Sequence, residues 1–115
     1  MSTAPDPSAA TAEDLRATLT RLAPEAVATF DAERAAAVSR SREQLSSTPM
    51  RRFLHQWALY VAIERHPTQA ARLRALENQA ATASSPAQAR EIASKIGHIL
   101  DQAAIEAGIP LGGTR

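Results

Sequence analysis

Three histidines, His55, His66 and His98, are the natural place to look for chemistry in this chain, because imidazole titrates near neutral pH and ligates metals. None has another His, Asp or Glu at the four-residue, one-turn spacing of a helical zinc motif. His55 has Gln56 and Leu59 near it, and His66 has Ala62 and Ala70 one turn away. His98 has Asp101 three residues on, a common surface pair. The absence of cysteine removes disulfides and thiolate metal sites and suits a reducing compartment. Glycine occurs only at Gly97, Gly108, Gly112 and Gly113, so no glycine-rich loop cradles a phosphate with its backbone N–H groups. Serines cluster where helix ends are expected, and capping explains them there. These residues predict a protein that is not an enzyme and that has no cofactor and no metal.

Arginine offers more. The formal net charge of +1 hides an asymmetry. Residues 1–33 hold two arginines against six carboxylates, whereas residues 34–74 hold eight arginines against two glutamates. The middle of the chain is therefore basic and the first third acidic. Arg51, Arg52, Arg65, Arg72 and Arg74 flank two expected helices and are the candidate partner-binding residues. One reading is a face that steers a charged protein partner. Another is a small DNA-binding regulator, with Thr68, Gln69 and Arg72 at the exposed start of a recognition helix. Near-neutral total charge and scarce lysine count against nucleic acid, as does aromatic content that is committed to the core.

The elements that must position these residues are all helical. Hydrophobic residues make up 44% of the chain but aromatics only 3%, so the core is built mainly from Ala, Leu, Ile and Val. The spacing predicts a single compact all-α bundle of about five helices over residues 11–108, with a disordered arm at 1–10 and a tail at 109–115. Thr11 caps the first helix, and Leu15, Leu19 and Leu22 share a face until Pro24 interrupts. The second helix, over about 25–44, carries Val27, Phe30, Arg34, Ala37, Val38, Ser41 and Leu45 on one stripe. Arg34 lies within that stripe and needs either a route to water or a carboxylate, for which Glu64 is the expected partner. Thr48 and Pro49 open a third helix to about residue 65, with Met50, Phe53, Leu54, Trp57 and Val61 on its main apolar stripe. His55, Leu59, Ala62 and Ile63 form a second stripe, which makes this the central helix. The fourth helix, over 68–82, presents Leu73, Leu76 and Ala80. The fifth, over 86–107, presents Ala89, Ile92, Ala93, Ile96, Ile99, Leu100, Ala103 and Ala107, opens on a Ser85–Gln88 capping box and closes at Gly108.

Leu19, Leu22-Ala23-Pro24, Phe30, Glu33, Leu45, Phe53, Trp57 and the run from His66-Pro67 to Ala71-Arg72-Leu73 together form a pattern. It is similar to that of short actinobacterial proteins of unknown function, some of which sit beside genes for RelE/ParE-type toxins. The resemblance covers residues 15–77 and leaves the fifth helix outside. It implies an antitoxin-like interaction protein and brings no catalytic residues with it.

These readings predict a non-catalytic protein-binding helical module, an antitoxin-like or regulatory partner protein. The alternatives are the DNA-binding regulator and a self-associating structural protein whose interface is the second stripe of the third helix or an edge of the fifth. No run of ~18 apolar residues is present to span a membrane, and no signal peptide is evident, so the expected location is cytoplasmic.

Overall fold

A computed structural model describes residues 7–109. Its order is α1 (Pro7–Leu22), a single 3-10 turn (Pro24–Ala26), α2 (Val27–Gln44), α3 (Thr48–Glu64), α4 (Pro67–Ala81) and α5 (Pro86–Ala107). Among the described residues there is no strand, and the all-α class read from the sequence is what is observed. The chain divides into two compact units, one up to Val61 and one from Ala62 onward.

In the first unit, α1 starts at Pro7, four residues before the expected Thr11 cap. Proline is tolerated there because a first-turn N–H has no intrahelical partner to lose. The rest of the predicted arm, residues 1–6, lies outside the described residues. Pro24 interrupts as anticipated. The Ala23 amide closes α1 on the Leu19 carbonyl, and the chain re-enters helix through the 3-10 turn.

The core of this unit collects Leu19, Phe30, Ala37, Phe53, Leu54, Trp57 and Val61, with Leu15, Val27, Met50 and Tyr60 packed against it. The sequence contains two Phe, one Trp and one Tyr, and all four join one string of ring contacts. Phe30 lies 5.0 Å from Phe53 and 5.3 Å from Trp57, and Trp57 lies 5.2 Å from Tyr60. The Trp57 contacts are edge-on, the arrangement that brings a ring's positive edge to its neighbour's negative face. The indole N–H of buried Trp57 donates to Glu33 Oε1 at 2.8 Å, so its one polar atom enters the core with an acceptor.

Helix α2 ends differently from its apolar pattern. Leu45, expected on the stripe, is 92% exposed and stands just past the helix at φ 51°. Its amide and that of Ser46 bond back to the Arg42 and Ser41 carbonyls. This is the left-handed cap usually given to glycine, here occupied by a side chain that buries nothing. Helix α3 then starts at Thr48, and its first turn closes through the Arg51 amide on the Ser47 carbonyl.

The second unit holds α4 and α5. Leu73, Leu76, Ile92 and Ile99 form its buried cluster, with Ile63, Ala83, Ile96 and Leu100 against it. Ser85 caps α5 by accepting from the Gln88 amide at 3.1 Å. The Gln88 side chain reaches one residue further back than a standard capping box, to the Ser84 amide at 2.9 Å. Gly108, at φ 74°, caps the other end, with the Ile109 amide on the Ala104 carbonyl. Of the expected α5 stripe, Ile92, Ile99 and Ala103 are buried, Ile96 and Leu100 half-buried, and Ala89 and Ala93 exposed. Of the residues expected inward on α4, Ala80 is exposed.

Two predictions follow from this packing. Trp57→Ala should cost the first unit about 3–5 kcal/mol, and Glu33→Ala about 1–3 kcal/mol by stranding the indole N–H. Chemical denaturation followed by far-UV circular dichroism checks both, and equal costs would contradict the packing order. In the same assay Leu45→Gly should stabilise by about 1 kcal/mol through relief of the left-handed backbone. Gly97→Ala should gain about as much, since the added Cβ meets nothing within 4 Å.

Candidate functional site

Which charged groups are available to a ligand depends on which are already bound within the fold. Arg16 grips Asp31 through two parallel bonds, Nε to Oδ1 and Nη2 to Oδ2, each 2.8 Å long, and ties α1 to α2. Arg34 donates to Glu13 Oε2 at 3.2 Å. Arg34 lies on the α2 face that meets α1, within the first unit, and in the second unit Glu64 lies 3.6 Å from Arg74. With Glu33 on Trp57, three carboxylates of the acidic first third are engaged inside the first unit.

The five candidate arginines now separate. Arg51 turns back along its own helix to Ser47 Oγ and Thr48 Oγ1. Arg65 lies 3.9 Å from Glu106, whose carboxylate also accepts from His66 Nε2 at 2.7 Å. Arg74 is paired with Glu64. Only Arg52 and Arg72 of the five have no hydrogen bond or ion pair among the described residues. They belong to different units and line different clefts.

Arg52 lines a cleft of about 500 Å³ between α2 and α3, within the first unit. Its opposite wall is Glu33, Ala36, Ala37, Arg40 and Gln44, a helical spacing that lays one face of α2 along the opening. Arg52 and Gln56 project from α3, and buried Ala37 and Phe53 form the floor. Arg40 is also without a partner among the described residues. Charge alone does not single Arg40 out, although residues 33, 37, 40 and 44 share a helical spacing in the sequence. The cleft's other reactive groups are occupied: Glu33 by Trp57 and Thr48 Oγ1 by Arg51. What remains is two guanidinium groups and two side-chain amides above an apolar floor, a set suited to gripping carboxylates.

In the second unit, a cleft of about 600 Å³ contains the His66–Glu106 pair together with His98, Gln69 and Gln102. Its lining has no hydroxyl, thiol or amine nucleophile beside that pair. Among the described residues no group of three His, Cys, Asp or Glu is placed to hold a metal ion. A neighbouring cleft of about 520 Å³ is lined by Arg72, Lys95 and His98.

Fold and clefts together define an all-helical chain whose α2–α3 cleft presents two unpartnered guanidinium groups and two side-chain amides. The chain belongs to a family of unknown function (DUF6247), whose model matches residues 4–100. The match runs into α5, so most of the fifth helix, which the resemblance read from the sequence left outside, lies within the family. No curated protein and no solved structure matches the chain. Among the described residues no helix is long and apolar enough to cross a membrane.

The Arg16–Asp31 pair carries a pH signature. The two hydrogen bonds from Arg16 hold the Asp31 carboxyl below the usual carboxylate range; desolvation opposes this, and the charges of Arg16 and Arg34 add to it. A carboxyl lowered in the folded state stabilises the fold above its unfolded pKa, about 3.9, and loses that effect as pH falls through the folded value. Wild type should therefore exceed Asp31→Asn in stability at neutral pH, and the gap should close below about pH 4. Denaturation midpoints across acidic pH measure it, and a gap that widens on acidification would contradict the pairing.

Proposed function

We propose that this chain is a non-catalytic binding module that takes an acidic segment of a partner protein into the α2–α3 cleft. The observation that carries this reading is that Arg40 and Arg52, both unpartnered, line one cleft with an apolar floor. Guanidinium groups bind carboxylates through paired, planar hydrogen bonds, and the Ala37–Phe53 floor suits an apolar side chain between two acidic ones.

The antitoxin-like role is the narrower form of this proposal. A basic toxin would need an acidic surface, and the carboxylates Glu13, Asp31 and Glu33 are already committed inside the first unit. The charge available at the cleft favours a partner, toxin or otherwise, that offers an acidic segment. The module would work without catalysis and in the cytoplasm, in keeping with a chain that lacks cysteine.

The test is an NMR titration of the isotope-labelled chain with a peptide of alternating Glu and Leu, alongside a short mixed-sequence DNA duplex. The peptide should shift the signals of Arg40, Gln44, Arg52 and Gln56, and an Arg40→Glu/Arg52→Glu double variant should weaken it by about tenfold or more. Binding of the peptide that the double variant leaves intact would overturn the proposal. So would tighter binding of the duplex, with affinity falling steeply as salt rises.

A further inference from the structure

We infer that the seam between α4 and α5 is a binding site for a phosphate monoester, built from Arg72, Lys95 and His98. The inference is independent of the α2–α3 cleft and concerns only the second unit. Helix α4 contributes Gln69 and Arg72, one turn apart; α5 contributes Ser94, Lys95 and His98, within one turn; buried Ile99 lies beneath. Every polar side chain in this lining can donate a hydrogen bond to an oxyanion, and none is a carboxylate. An imidazole offers an N–H donor whether neutral or charged, so His98 serves in either form.

These groups are also available. Gln69, Arg72, Ser94 and His98 have no hydrogen bond or ion pair among the described residues. Lys95 has one carboxylate neighbour, Glu91, at 3.7 Å one turn earlier on the same exposed helix face. Such a pair contributes little, so a bound anion readily displaces it. Donors that line one cleft from two helices suit a tetrahedral group with three terminal oxygens better than a planar carboxylate with two. The charge of a monoester, near −2, matches Arg72 and Lys95. The volume of about 520 Å³ leaves space for the small group that bears the phosphate.

The protein contains no glycine-rich phosphate loop, so side chains would supply all the recognition. That makes the site sensitive to single substitutions. The experiment is a titration of the full chain with inorganic phosphate and, separately, with adenosine monophosphate, read by amide shifts and by the phosphorus signal. Both should bind saturably at about millimolar concentration or tighter, and the shifts should centre on Gln69, Arg72, Ser94, Lys95 and His98. Tighter binding of the nucleotide would identify an organic phosphate as the ligand; equal binding would identify the free anion. Arg72→Ala should weaken binding about tenfold, while Arg90→Ala, on exposed α5 surface, should leave it unchanged. Absence of saturation, equal losses in the two variants, or binding of a DNA duplex but neither monoester would overturn the inference.

Discussion

The edge-on contact between Phe30 and Trp57 is the interaction on which the first unit depends. The 115 residues include only four aromatic side chains, and three of them, Phe30, Phe53 and Trp57, meet between α2 and α3. The indole brings a polar N–H into that space, and Glu33, one turn before Ala37 on α2, provides the acceptor. The same hydrogen bond that satisfies the indole turns Glu33 away from the role of free carboxylate. The chemistry of the α2–α3 cleft thus follows from the core beneath it. Its acid is occupied by the fold, and its cations, Arg40 and Arg52, are not.

The second unit is held by different means. Its cluster is purely aliphatic, from Leu73, Leu76, Ile92 and Ile99, and both ends of α5 are capped by hydrogen bonds. Aliphatic packing has no preferred ring geometry, so alignment relies more on chain termini and on polar contacts. Glu106 gathers Arg65 and His66 at the last turn of α5, and Arg74 meets Glu64 at the end of α3. These pairs engage Glu64 and Glu106 and leave Arg72 and His98 without a partner among the described residues, while Lys95 keeps Glu91 at 3.7 Å.

Helices and most of their ends were legible in the sequence because proline and glycine mark them chemically. Pro24, Pro67, Pro86 and Gly108 all stand at observed boundaries. Where no such marker existed, periodicity alone misled. Leu45 continues the α2 stripe in sequence, yet the helix has already ended, because nothing in a leucine announces a left-handed backbone. Thr11 looked like a cap and lies inside a helix that began earlier. The candidate sites were legible only in part. Arg52 and Arg72 were singled out by charge, but Arg40 and Lys95 were not, because their significance comes from residues on a neighbouring helix. A single sequence shows that a charge needs a partner and does not show which helix brings it.

The concentration of every aromatic ring in the first unit divides the molecule in a way visible to light. Intrinsic fluorescence and near-ultraviolet circular dichroism arise from Trp57, Tyr60, Phe30 and Phe53, so both signals report on that unit, and α4 and α5 are spectroscopically silent. Backbone dichroism, by contrast, sums over all five helices. Wherever the two kinds of signal part company during heating or titration, the difference belongs to the aliphatic half of the chain.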